Sequence, residues 1–237
     1  CISNIVVANF KANGLLAIGA SPVMADAPEE VAQMVAIAGA LSINMGTLNS
    51  ESVKSMLAAG RAANALNKPV VFDPVGAGAT EFRRNTVREL MREVKLSVLR
   101  CNVGELAAVA EVPWQQKGVD SGEGDLAIVE VAKQVAQQYH TVVAVTGETD
   151  IVTDGERVAE ISGGSSMTPL VTGTGCLLSA VVAAGLVGSD DVFVATVSVL
   201  QDYKRVAEIA AAQGKQVGDF QVAFLNALQQ VSTGEGA

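Results

Sequence analysis

The chain has 237 residues, of which 49% are hydrophobic and only 4% aromatic, and it carries a formal net charge of −9. That length supports a real core, expected here as a single domain over residues 1–237. The acidic balance leaves no basic face to neutralise a nucleic-acid backbone, but it is compatible with a small phosphorylated ligand held by local backbone dipoles.

In chain order, the sequence opens on C-I-S-N without an initiator methionine, so an N-terminal segment is expected to be missing. No signal peptide is visible. L-S-I-N-M (41–45) reads as a short strand ending at Gly46. The segment 50–66 reads as a helix with Val53, Met56, Leu57 and Leu66 on one face. P-V-V-F-D-P (69–74) is a strand closed by Asp-Pro, 83–94 a helix and L-S-V-L-R (96–100) a further strand. K-G-V-D-S-G-E-G-D (117–125) reads as a surface loop. The helix after it places Ile128, Val131, Val135 and Tyr139 at helical spacing. T-V-V-A-V-T-G (141–147) is apolar almost throughout, as a central parallel strand should be. I-V-T-D-G-E-R-V-A-E-I (151–161) is a hairpin turning at Asp154–Gly155. From Cys176 the chain is mostly helical, and its apolar run Cys176–Val187 is too short to span a bilayer. This alternation predicts an α/β fold with a mostly parallel central sheet and helices on both faces.

In such sheets the ligand lies beyond the carboxyl ends of the strands. Glycine and polar residues gather at those ends, in N-M-G-T (44–47), D-P-V-G-A-G-A-T (73–80), R-C-N-V-G-E (100–105) and T-G-E-T-D (146–150). In V-T-G-T-G-C (171–176), Gly173, Thr174 and Gly175 are candidates for an anion hole, with backbone N–H groups converging at a helix N-terminus. A tight turn needing glycine explains the same residues. Neither a dinucleotide fingerprint nor a Walker A loop is present, since Leu178 stands where a third glycine belongs and G-K-[ST] is absent. Asp73 and Glu105, with Asn102, are candidates to hold Mg²⁺ through waters. Turn capping and a favourable first-turn charge are the structural alternatives. Arg100 is placed to clamp a phosphate or to pair with a carboxylate.

Cys176 has the setting of a thiolate nucleophile at a helix N-terminus. The one histidine, His140, precedes the 141–147 strand and so lies at its amino end. A thiol–imidazole hydrolase is therefore disfavoured, and His140 reads as a surface residue. Cys1, Cys101 and Cys176 form no C-x-x-C pair, which fits a reducing, cytoplasmic setting.

These blocks, together with N-F-K-A-N-G-L-L-A-I-G-A-S-P-V-M-A, K-G-V-D-S and V-T-G-E-T-D, resemble the hydroxyethylthiazole kinases in order over nearly the whole chain. The resemblance implies a ribokinase-like fold and a homotrimer with active sites at subunit interfaces. It also implies Mg²⁺-dependent phosphorylation of 4-methyl-5-(2-hydroxyethyl)thiazole by ATP in thiamine salvage. By the same resemblance, Met24 and Gly173 would contact the thiazole, Arg100 and Thr146 would contact ATP, and Asp73 and Glu105 would serve the metal. Cys176 would stand where related sugar kinases carry a catalytic aspartate. The sequence departs from the family pattern at Lys11 (usually Thr), at Cys101 (usually Gly) and at Q-V-G-D-F (216–220), which includes Asp219. The family's strand-forming residues before C-I-S-N are absent as well. Cys101 is expected to add a side chain beside the ATP loop and to impair nucleotide binding. Two alternatives stay open: a kinase for a related alcohol such as a hydroxymethylpyrimidine, and a catalytically impaired ligand-binding homologue.

Overall fold

The computed structural model describes residues 1–112 and 122–234. Among these residues six strands form one sheet in sequential order: β1 (Leu41–Asn44), β2 (Val70–Asp73), β3 (Val98–Asn102), β4 (Val142–Thr146), β5 (Asp150–Thr153) and β6 (Val158–Ile161). The first four are parallel, and β5 and β6 add an antiparallel hairpin at one edge. Gly155 takes φ +98° in its turn, a conformation that favours glycine. The expected strands and hairpin are all present, with ends shifted by one or two residues.

Parallel neighbours need long crossovers, and here they are helical. α3 (Ser50–Ala65) joins β1 to β2, α4 (Glu81–Glu93) joins β2 to β3, and α5 (Val103–Val109) with α6 (Gly122–Tyr139) lies between β3 and β4. Sequential strand order with crossovers of one hand puts them all on one face. There, with α2 (Val31–Ile37), they cover Ile43, Phe72, Leu99 and Val143. The opposite face is covered by α1 (Ala8–Ala17), α7 (Thr174–Gly185), α8 (Val192–Gln213) and α9 (Val217–Thr233), packed on Val71, Val98, Val142 and Ala144. Strands β2 to β4 are buried on both sides, which explains their unbroken apolar runs. Of the loop expected over 117–125, residues 117–121 lie outside the described residues. Gly122–Asp125 instead begin α6.

Side chains cap most of the helices that start near the strand ends. Asn49 and Ser52 form a capping box on α3, Asn102 and Glu105 form one on α5, and Thr80 and Asp191 cap α4 and α8. α7 differs. Its N-cap is Gly173, which offers no side chain, so its first-turn amides are left without an intrahelical or side-chain acceptor.

Candidate active site

Side chains alternate across a strand. Asp73 shares its face with Val71, Arg100 with Val98, and Thr146 with Val142 and Ala144, so all three point toward α1 and α7. Asn44 pairs in register with Asp73 at the carboxyl ends of β1 and β2.

Asp73 is fully buried. Its Oδ2 accepts hydrogen bonds from Asn44 Nδ2 at 2.9 Å and Ser179 Oγ at 2.8 Å. Its Oδ1 has no hydrogen-bond partner and lies 3.6 Å from Arg100 Nη1. Asn44 Oδ1 in turn accepts from Asn4 Nδ2 at 2.7 Å, and that same nitrogen lies 3.7 Å from Cys176 Sγ. A continuous polar chain thus runs from Ser179 through Asp73, Asn44 and Asn4 to the thiol.

The Arg100 guanidinium lies directly against the glycine-rich loop. A Cβ on Gly175 would stand 2.9 Å from Arg100 Nη2, so only glycine admits this approach. Nη2 donates to Thr146 Oγ1 at 2.5 Å, while the buried Nε has no partner. Burial pulls the guanidinium pKa down, but the Asp73 and Glu105 carboxylates outweigh it and the group stays charged. Gly173 takes φ +99°, and a Cβ there would meet Val7 Cγ1 at 2.8 Å. Thr174 turns its hydroxyl inward to the carbonyls of Thr168 (3.0 Å) and Val171 (3.2 Å), and its own carbonyl accepts from Tyr203 OH at 2.6 Å. Thr174 therefore offers the loop only its backbone. Thr174 N donates to Val171 O at a long 3.5 Å, and no side chain caps the helix start, so a buried cation and the first amides of α7 lie together between β3, β4 and α7, an arrangement that favours an anion.

Glu105 acts as a brace. Its Oε1 accepts from Gly76 N at 3.0 Å and its Oε2 from Asn102 N at 2.9 Å, tying the loop after β2 to the start of α5. Burial pushes its carboxyl pKa up. Each oxygen keeps a free lone pair. With the orphaned Asp73 Oδ1, these suit a hydrated Mg²⁺ carried in with a nucleotide. Among the described residues no cluster of three or more His, Cys, Asp or Glu gathers, so a dedicated all-protein cage is not what these residues build.

Burial, and next Asp73, push the half-buried Cys176 thiol up from its ordinary value, against Asn44, Lys11 and Arg100. The helix end therefore does not produce a thiolate at neutral pH. His140 is exposed at φ +51°, just past α6 and at the opposite end of β4 from Thr146. Met24 is partly exposed on the irregular segment 20–26. That segment is held beside the first residues by Ala25 N donating to Cys1 O at 3.2 Å, and Met24 is not part of the polar chain.

Of the departures, Cys101 requires a correction. Its side chain is fully buried among the residues under the crossover helices, on the opposite face from Arg100, and does not enter the side where the ATP loop was expected. Only its carbonyl reaches the site, accepting from Thr146 Oγ1 at 3.4 Å. Burial pushes this thiol far up. Asp219 is exposed in the first turn of α9, a favourable place for an acid. Lys11 is fully buried, with Nζ donating to Ser42 Oγ at 3.2 Å. Burial pulls its ammonium pKa down, with Asp73 and Cys176 acting the other way.

Sequence reasoning missed Asn4, Asn44, Ser179, Tyr203 and Arg83. Arg83 reaches from α4 to donate to the carbonyls of Met45 (2.8 Å), Gly46 (2.7 Å) and Val75 (2.6 Å), fixing the loops after β1 and β2 together. The i, i+3 spacing of Cys176 and Ser179 was a usable signal for a shared helix face. Asn4 had none.

Residues 1–234 match the hydroxyethylthiazole kinase family. A hydroxyethylthiazole kinase of Lysinibacillus sphaericus is 54% identical over 232 residues, covering 98% of this chain and 91% of that protein. One from an Exiguobacterium species is 50% identical over 231 residues, covering 98% and 88%. Among solved structures, a hydroxyethylthiazole kinase protein from Pyrococcus horikoshii is 39% identical with a TM-score of 0.89, over 97% of this chain and 86% of that one. A ribokinase-like superfamily protein from Enterococcus faecalis, 11% identical with a TM-score of 0.68 over 97% and 85%, shares the fold. The fold is thus ribokinase-like, as the motifs implied.

Proposed function

The chain belongs to the hydroxyethylthiazole kinase family, and on that premise we propose that it transfers the γ-phosphoryl group of ATP to the hydroxyl of 4-methyl-5-(2-hydroxyethyl)thiazole. The reaction serves thiamine salvage in the cytoplasm. One observation carries the reading: Arg100, bonded to Thr146 and 3.6 Å from Asp73, lies against the Gly173–Gly175 loop at the uncapped start of α7.

Phosphoryl transfer is mainly a matter of positioning and of charge stabilisation on the group in flight. The amides of Gly173, Thr174 and Gly175 form the anion hole, and Arg100 supplies the cation beneath it. Thr146 and Arg100 bind the ATP phosphates. Asp73 and Glu105 are the residues that would hold Mg²⁺ through water, where it would supply charge neutralisation to the phosphates. Asn44 and Ser179 keep Asp73 Oδ2 occupied, so Oδ1 is the oxygen turned to this duty. Met24 and Gly173 line the thiazole side. Cys176 faces the substrate hydroxyl as a protonated thiol, so it is neither nucleophile nor strong base. A primary alcohol attacking through a loose transition state needs little of either.

The exposed Ile5 and Val6, at 81% and 67%, border Asn4 and Val7 of the site, which supports a homotrimer with sites at subunit interfaces. The decisive experiment is coupled ADP release across a panel containing the thiazole alcohol and a hydroxymethylpyrimidine. ADP formation that needs the thiazole alcohol, ATP and Mg²⁺ is expected. Absence of turnover with every alcohol sinks the kinase reading, and preference for the pyrimidine reassigns the substrate.

A further inference from the structure

Thr146 ends β4, and the turn after it, Gly147–Thr149, runs straight into β5. Nothing in that turn anchors itself except Gly147 N, which donates to Asp150 Oδ1 at 2.9 Å. The remaining hold comes from α8. Lys204 Nζ donates to Gly147 O at 3.1 Å and Glu148 O at 3.0 Å, and lies 3.1 Å from Asp150 Oδ1. An ammonium has three donors, and here all three have acceptors. One helical turn on, Glu208 Oε1 accepts from Gly164 N at 2.9 Å, in the loop that leads from β6 to the glycine-rich segment. Gly163 and Gly164 lie at φ +106° and +90°. A Cβ on Gly164 would stand 2.9 Å from Lys204 Cδ, and one on Gly163 would collide with Glu208 Oε1. The loop therefore rests directly on this pair. Tyr203, the neighbour of Lys204, holds the carbonyl of Thr174 at 2.6 Å. Three side chains on one stretch of α8 thus set the spacing between Thr146 and the anion loop.

We propose that Lys204 and Glu208 are positioning residues for the phosphoryl donor, holding in place the two loops that flank Thr146 and feed the glycine-rich segment. The assignment rests on the kinase reading and extends it to residues that touch no substrate. Because removing Lys204 alone leaves Asp150 buried and unpaired, the variant of choice is the double substitution Lys204→Met with Asp150→Asn. It keeps an acceptor for Gly147 N and removes both charges. Its steady-state kinetics are measured against ATP and against the thiazole alcohol separately, beside a thermal melt. A donor-side clasp predicts that KM for ATP rises about tenfold or more while KM for the alcohol stays within about twofold, in a protein that still melts cooperatively. Glu208→Gln is expected to move the same parameter in the same direction by less. An unchanged KM for ATP in the folded double variant, or equal rises in both KM values, overturns the assignment. If the unaltered protein phosphorylates no alcohol, the kinase reading fails instead, and calorimetric titration with ATP then tests the clasp by the same comparison of affinities.

Discussion

A lysine sealed inside a protein with a single hydroxyl partner is an unusual expense, because a buried charge loses its hydration and recovers little of it from one hydrogen bond. Lys11 is such a residue. Its pKa is lowered on folding, so the unfolded chain holds the proton more tightly, and the cost is fully present below the folded pKa. It fades as pH rises through the window between that value and the unfolded lysine value. Lys11→Met is therefore expected to stabilise the protein at neutral pH by about 1 kcal/mol, or roughly 2–4 °C in Tm, with the gain shrinking toward pH 10. Melting curves across pH check both the sign and the trend. Cys101 carries the opposite lesson. The family pattern led to the expectation that restoring glycine there would relieve the ATP loop, but Arg100 points toward α7 and the pleat sends its neighbour the other way. Cys101→Gly is expected to leave a void and a more flexible backbone. The expected cost is about 2 kcal/mol, roughly 4–8 °C in Tm, with no gain in ADP release. At position 176 burial and Asp73 work against an anion, but a carboxylate, more acidic than a thiol, would find Asn4 Nδ2 as donor and the Lys11 and Arg100 charges on its side. Cys176→Asp is accordingly expected to keep or raise turnover, an outcome that a nucleophilic thiol would not allow.

At the scale of elements, α7 matters through the side chain it lacks. Gly175→Ala would press a methyl group against the Arg100 guanidinium and push it from Thr146. Turnover is expected to fall about 100-fold, in line with the loss of one preorganised charge-stabilising group, and kcat from the ADP assay reads the effect. The strands that carry the site were legible because an apolar run closed by Asp-Pro, Gly or Asn is a strong local signal. So was the glycine-rich loop, whose two glycines prove to be required by a positive φ and by the close approach of Arg100. The braces were not legible. Asn4 meets Cys176 across 172 positions, Ser179 meets Asp73 across 106, and Lys204 meets Gly147 across 57. Nothing in the local pattern around these polar residues distinguishes them from solvated ones. Glu105 was legible in part: its capping role follows from the N-x-x-E spacing, whereas its bond to Gly76 does not.

For the whole molecule, the proposed homotrimer predicts a solution species of three times the 24.3 kDa chain in sedimentation equilibrium. Ile5→Glu, at an exposed position that no core contact requires, is expected to shift that species toward monomer and to lower activity with it. The two faces of the sheet also have different histories. The crossover helices and the strands they join are made of neighbouring segments and can close as the chain is laid down. The face bearing Asp73 and Arg100 waits for α7 to α9, which follow every strand in the chain. Until then the aspartate lacks Ser179 and the glycine-rich loop lacks its tie to Tyr203. On the ribosome, and in refolding from denaturant, secondary structure is therefore expected to appear ahead of catalytic competence, because the candidate site is closed only by helices that follow the whole sheet in the chain.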